Sequence, residues 1–257
     1  MNSNSLILIC VCFLIITLVS CGGKNTSSNV QSPGEEKSGK TQVLEAGAEV
    51  IQNKAPLNKL DMYLDGFHFY SGNMDGQMEA HHYCSKLNED ITQCVIFDGN
   101  GKDAKIMGVE YIISEKLFKT LPEDEKKLWH SHHHEVKSGT LIAPGLPKAA
   151  EHELMEEIVS TYGKTWHTWH TDQELELPMG SPALMMGFTK DGQLKQELVQ
   201  ERDARFNIST VEKRENRKDI PLPTVQPGAN SWETGKAIQL PPLTSQGHAT
   251  HPATKTH

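Results

Sequence analysis

Two apolar segments, ITQCVIFD (91–98) and KIMGVEYII (105–113), are separated by little more than GNGKD. Each is rich in β-branched residues and bounded by turn formers, so each reads as a strand. A link this short, carrying two glycines, joins them as an antiparallel hairpin. That hairpin commits the chain to a sheet whose strands need no crossover. PALMMGFT (182–189) reads as a further strand. Helical spacing appears elsewhere. Val43, Leu44, Gly47, Val50 and Ile51 predict a short opening helix. TLPEDEKKLW predicts another, with Thr120 as cap, Pro122 in the first turn and Glu123 completing a capping box. A clearer helix is expected over 148–162, with Leu154, Met155, Ile158, Val159 and Tyr162 on one face, Glu151, Glu153, Glu156 and Glu157 on the other, and Gly163 as its stop. A last helix is expected over 193–208. Hairpin strands mixed with separate helices, without regular alternation, predict an α+β single domain whose mixed or mainly antiparallel sheet is flanked by helices.

The 257 residues suit one sizeable domain with appendages. The net charge of −8, without a run of Lys and Arg, sets nucleic acid and anionic membrane surfaces aside. Residues 6–19, LILICVCFLIITLV, have the length of a signal-peptide core and are too short to span a bilayer comfortably. Leu18, Val19, Ser20 and Cys21 resemble the lipobox of bacterial lipoproteins, although MNSNS carries no Lys or Arg. That resemblance implies cleavage before Cys21, acylation of Cys21 and attachment of the protein to a membrane through it. Gly22 is not the aspartate that retains such proteins at the inner membrane, so the expected place is the bacterial cell envelope, lipid-anchored at the outer membrane. The expected organisation is a signal peptide (1–20), a flexible tether (21–40), the body (41–220) and a disordered Pro/Thr-rich tail (221–257). Cys10 and Cys12 leave with the signal. Cys84 and Cys94 remain as a disulfide pair, buried thiols or soft metal ligands.

The residues that carry chemistry cluster in WHSHHHEVKSG (129–139), with four histidines in five positions. As a strand it would put His130, His132 and His134 on one face, and as a helix it would set His132 beside Glu135. Either arrangement offers ligands to a transition metal, and a polar strand face of solvated histidines is the alternative. EAHHYC offers Glu79, His81 and His82, which as a helix would resemble half of a di-iron motif. The second copy is missing, and the body is not a four-helix bundle. In KTWHTWH, read as a strand, His167 and His170 face opposite ways, so one ligand is the ceiling. Glu110 lies inside the apolar IMGVEYII. If that strand is buried, the carboxylate needs a metal or a histidine as partner; on an edge strand it would face water. The order His130, His132, Glu135, Gly139 resembles the first metal-binding motif of cupins with a shortened gap. No second motif follows, and His167 is its distant stand-in. No GxSxG elbow, P-loop or dinucleotide fingerprint occurs.

Taken together, LDGFHFYSGNMDGQMEAHHYCSKLNED, QCVIFD, GVEYIISEKLFKTLPEDEKKLWHSH, EVKSG, YGKTWHTW and LMMGFTKDGQL resemble the oil body-associated protein family of plants and its bacterial relatives, over about Thr41 to Ile220. The resemblance implies a link to oil bodies and their integrity, and no catalytic mechanism, substrate or cofactor. It maps His81, His82, Cys84, Cys94, Glu110, His130, His132, Glu135 and His167 onto the family pattern and leaves His133, His134 and His170 outside it. Two functions are expected from different classes. One is a non-enzymatic accessory lipoprotein at a lipid surface. The other is a metal-binding protein or metal-dependent enzyme holding zinc, iron, copper or manganese through His81, His82, Glu110, His130, His132, Glu135 and His167. The plainest alternative is a polar cluster that only stabilises the fold.

Overall fold

The computed structural model describes residues 25–241. The apolar leader, Cys21 and the end of the tail lie outside the described residues, and no described helix is long and apolar enough to cross a membrane. Strands β1 (Met62–Tyr70), β2 (Asn73–Asn88), β3 (Ile91–Phe97) and β4 (Ile106–Ile113) form a meander. The expected hairpin is β3 and β4, in register from Ile91↔Ile113 to Phe97↔Ile106 with a shift before the last pair. β4 then pairs with β6 (Tyr162–His167), β6 with β7 (Ala183–Met186), and β7 with β1, all antiparallel. The sheet therefore closes on itself as a six-stranded barrel, and a short β5 (His130–Ser131) extends the free edge of β6 beside β7.

Closure explains which strands the sequence concealed. From Leu64 to Tyr70 every residue of β1 is buried, because its inner face lines the barrel and its outer face lies under α6 (Gln196–Phe206). Phe67 and Phe69 pack outward against Leu184, Met186, Phe188 and Val199. Two-sided burial erases alternation, so DGFHFY has no strand signature. β2 contains EAHHYC in extended form, which places His82 and Cys84 inward and Glu79 and His81 outward, and excludes the one-turn pairing of Glu79 with His82. Gly108 is fixed by closure as well: a Cβ there would stand 2.0 Å from the Trp166 carbonyl oxygen on β6.

Helices cap one end of the barrel. Leu64, Cys84, Cys94 and Ile112 meet Val136 and Leu141 and the face of α5 (Lys148–Ile158), with Met155, Ile158 and Val159 buried. The helix expected to run to Tyr162 stops at Ile158, and Tyr162 and Gly163 open β6. Tyr162 stacks on Phe118 instead, with ring centroids 3.9 Å apart. Glu151 does not face water. It is buried, paired with Lys213 and with Arg217, whose guanidinium also donates to the carbonyls of Val136 and Leu141. Thr120 closes α2 (Glu115–Thr120), which Ser114 caps, and the following α3 (Glu123–Lys126) has Pro122 at its start. The opening helix α1 (Gly39–Ile51) buries no residue.

Both presumed appendages hold contacts with the barrel. Ser28 donates to Asp98 at 2.7 Å and the Thr26 amide to Asn100 at 2.6 Å. In the tail, expected to be disordered, Trp232 packs edge-on to Phe69, and Gln239 donates to the Leu184 and Ser71 carbonyls. Asn230 completes β5: its Oδ1 accepts from the Ser131 amide at 2.9 Å and its Nδ2 donates to the Ser131 hydroxyl at 3.0 Å. Asn230 thus does for β5 what a neighbouring strand would do.

Cys84 and Cys94 are directly opposed on β2 and β3 and joined as a disulfide across 10 residues of sequence. Closing so short a loop restricts the unfolded chain by about 3 kcal/mol. Replacing both cysteines with alanine is expected to lower the unfolding free energy by about 2–3 kcal/mol in a denaturant titration. A change under about 1 kcal/mol would show that the meander holds this register without the cross-link.

Candidate metal centre

Glu110 points from the middle of β4 into the barrel and is 2% exposed. Four imidazoles converge on it. His82 Nε2 from β2 is 2.9 Å from Oε2 and His68 Nε2 from β1 is 3.9 Å from the same oxygen. His132 Nε2 and His130 Nε2 stand 3.3 and 3.4 Å from Oε1. Donor atoms bound about 2.0–2.2 Å from one ion stand roughly 3–3.6 Å from each other, and most of these spacings fall in or near that range. His68, Glu110 and His130 offer one set of ligand atoms within 4.8 Å of one another, and His130, His132 and Glu135 offer a second sharing His130.

The histidine run reaches this point by changing conformation partway. His130 is extended on β5, opposite Gly163. His132 is the cap residue of α4 (His133–Ser138), which places Glu135 one turn further along, beside it. The extended and helical arrangements are therefore each realised over part of the run. His133 turns toward Tyr162 and His134 toward Asp191, away from the cluster. Glycines let the side chains lie against backbone: a Cβ on Gly163 would sit 2.0 Å from Glu110 Oε1, and one on Gly187 would sit 2.8 Å from Glu135 Oε2.

Protonation follows from burial. Burial opposes ionisation of Glu110, but contacts with His130, His132 and His82 outweigh it and hold the carboxyl well below its ordinary range. Burial, then His82, drives His68 well below the usual imidazole value, and burial lowers His132. Glu135 is pushed well above the carboxylate range by burial and by the charge of Glu110. Glu110 is thus held as the carboxylate while His68 and His132 favour the neutral imidazole, the form in which imidazole binds metal.

Hydrogen bonding leaves its nitrogens unspent. The Thr161 hydroxyl donates its single hydrogen to the Ile158 carbonyl at 2.7 Å, so it accepts from His132 Nδ1–H at 2.8 Å. In the neutral ring His132 Nε2 is then a lone pair facing a carboxylate oxygen at 3.3 Å, and either a second proton on His132 or a cation must stand between the two acceptors. Both nitrogens of His82 and of His130 are buried without an aligned hydrogen-bond partner. A cation among them would satisfy His132 Nε2, Glu110 Oε1 and one nitrogen each of His82 and His130 at once. The cavity enclosed there is about 10 Å³ for water-sized contents, room for about one water or ion.

Not every expected ligand arrives. His81 faces outward, 2.8 Å from the Tyr63 hydroxyl and 3.1 Å from Asp65. Arg202 donates to Asp65 at 3.1 Å and Arg205 pairs with Glu79. The guanidinium groups supply positive charge in this second cluster, where Asp65, Glu79 and His81 offer donor atoms within 4.8 Å of one another, so His81 does not join the set around Glu110. His167 lies one layer back, its Nε2 3.4 Å from His68 Nδ1, with burial and then His82 pushing its pKa down to about 3. His68 itself was missing from the sequence-based set. Its signal was a lone histidine between two phenylalanines in phase with Leu64 and Gly66. Thr161 carried no signal at all.

Residues 54–221 match the family model described as "Protein of unknown function (DUF1264)". Oil body-associated protein 1B of Arabidopsis thaliana is 43% identical over 218 residues, 84% of this chain and 90% of its own length. Oil body-associated protein 1A of Zea mays is 43% identical over 230 residues, 87% of this chain and 97% of its own. Oil body-associated protein 2C of Arabidopsis thaliana is 39% identical over 212 residues, 81% and 90% of the two chains. No solved structure matches. These relatives overturn the expected lipid-anchored place in a bacterial cell envelope. They are plant proteins, named for oil bodies, and align over nearly their whole length. Cys21, on which the envelope reading rested, is among the residues outside the description.

The raised proton affinity of Glu135 has a spectroscopic consequence. In metal-free protein at neutral pH, infrared difference spectra should contain a buried, protonated carboxyl band that is absent from Glu135→Gln. A spectrum with only carboxylate bands would show that Glu135 is ionised there and that its surroundings are more polar than this geometry implies.

Proposed function

The chain belongs to the DUF1264 family, the family of the oil body-associated proteins, and we propose that its barrel serves to hold one divalent transition-metal ion. The observation that carries this reading is the facing of His132 Nε2, its lone pair fixed by Thr161, against Glu110 Oε1. Each of the two overlapping ligand sets is two histidines and one carboxylate. That donor set suits ferrous iron, manganese and zinc. Copper(I) is less well matched, because the two nearby sulfurs are consumed in the disulfide. His68, His82, His130, His132 and Glu110 would surround the ion, with Glu135 able to join on losing its proton. The ion would supply Lewis acidity or redox chemistry, and the protein would supply a rigid, water-poor enclosure.

The relatives' names support a setting at oil bodies or a comparable lipid surface. An accessory role there that needs no metal is the second reading, and those names are its support. The two readings part at the histidines. The first requires His132 for function, while the second tolerates its loss.

Elemental analysis of the full chain, purified without chelator, is expected to give about one equivalent of iron, manganese or zinc. Little should remain in a His130→Ala, His132→Ala double variant or in Glu110→Gln. Added metal at 100 times its dissociation constant should stabilise the native chain by about 2.7 kcal/mol. Folded native protein that carries no metal and gains no stability from any of the three ions would overturn the proposal.

A further inference from the structure

The enclosure around Glu110 is too small for anything beyond an ion and its immediate ligands, so a reactant would have to enter from elsewhere. One neighbouring hollow is placed for this. A groove of about 510 Å³ lies between α5 and the adjoining ends of β1, β3 and β4, and Leu64, Ile112 and Ile158 line both it and the inner cavity. These three aliphatic side chains form the partition between the two spaces. Other hollows of comparable size, beside α7 (Thr210–Asn216) and beside the loop at Asn100, share no lining residue with the inner cavity. Thr161, whose hydroxyl orients His132, also faces the groove, so the groove wall and the ligand shell meet at one residue.

We propose that this groove is the reactant site of the metal centre and takes a small, neutral, mainly apolar molecule bearing one nitrogen or oxygen donor at its inner end. The inference rests on the metal-binding reading above. The chemistry of the walls sets the ligand class. Met62, Ile113 and Leu154 continue the apolar wall of the groove away from the partition. Charges are confined to the mouth, where Glu89, Asp90 and Glu157 outnumber Lys86 among the lining residues. Lys86 is taken up by Glu157 at 2.9 Å and Glu89 at 3.3 Å, and Asp90 pairs with Lys116 at 3.1 Å. No unpaired cation is among the groove's lining residues to receive an anionic head, and the acidic side chains at the mouth disfavour the entry of one. The volume falls in the range of small-molecule sites. The Lys86 pairs link the β2–β3 turn to α5 across the mouth. Exposed pairs of this kind are weak and easily exchanged.

The test uses the full chain loaded with cobalt(II), whose visible spectrum reports its ligands, and 4-phenylimidazole as the neutral apolar probe. The expected result is a saturable spectral change at one probe per cobalt. Benzoate, an anion of similar size, should bind at least tenfold more weakly. Leu154→Trp, which fills the groove without touching the inner cavity, should weaken the probe at least tenfold per bound cobalt, and Met62→Trp is the second plug should that variant not fold. Ile158→Ala, which thins the partition, should speed association. Cobalt that binds while its spectrum ignores 4-phenylimidazole overturns the groove assignment alone. So does native-like probe affinity in a folded plug variant, or benzoate binding as well as the neutral probe. Failure to take up cobalt overturns the metal centre and the groove together.

Discussion

An ionised carboxylate inside a closed barrel costs several kcal/mol unless charge or hydrogen bonds compensate it. Glu110 is that carboxylate, and much of the surrounding architecture supplies its partners. β1, β2 and the β5–α4 junction each bring one or two imidazoles to it, and β6 yields a glycine where any side chain would collide with it. Removing its charge would relieve one burial cost and leave another, because the nitrogens of His82 and His130 are themselves buried without hydrogen-bond partners. The barrel and the cluster are therefore mutually dependent: closure excludes water from Glu110, and the convergence on Glu110 makes sense of closure.

The interior is divided along its length. At one end the disulfide, Leu64 and Ile112 join Met155 and Ile158 in an aliphatic plug, and beside it sit the polar side chains. His82 and Cys84 alternate on the same face of β2, so the transition occurs within a single strand. A rigid, cross-linked plug beside a ligand cluster favours fixed donor positions, the property on which metal selectivity depends.

Legibility in the sequence followed local physics. The β3–β4 hairpin was readable because its turn lies within the segment and its strands are strongly apolar. β1 and β2 were not, because burial on both faces of β1 and functional polarity on β2 remove the period-two signal. Glu110, His82, His130, His132 and Glu135 could be nominated from residue type and apolar context, and the fold brings them together. His81 could not be separated from His82 without knowing that the segment is extended and which face is outward. His68 required the closure of β1 against β7, which no local pattern encodes. Thr120 shows the same limit at a helix: a sound capping motif yielded to Ser114, which opens the preceding helix and leaves Thr120 to end it.

The hydrogen bonds from Asn230 to Ser131 carry a consequence for biosynthesis. The strand bearing His130 is completed by a residue 99 positions later in the chain. Domains assemble as the chain emerges from the ribosome, N-terminal portions first. The meander of β1 to β4, with its cross-link, can form early, while the strand that carries His130 lacks its support until the chain has emerged through Asn230. In the proposed metal-binding role loading would wait for Asn230, and a chain ending before that residue would carry β5 without its completing hydrogen bonds.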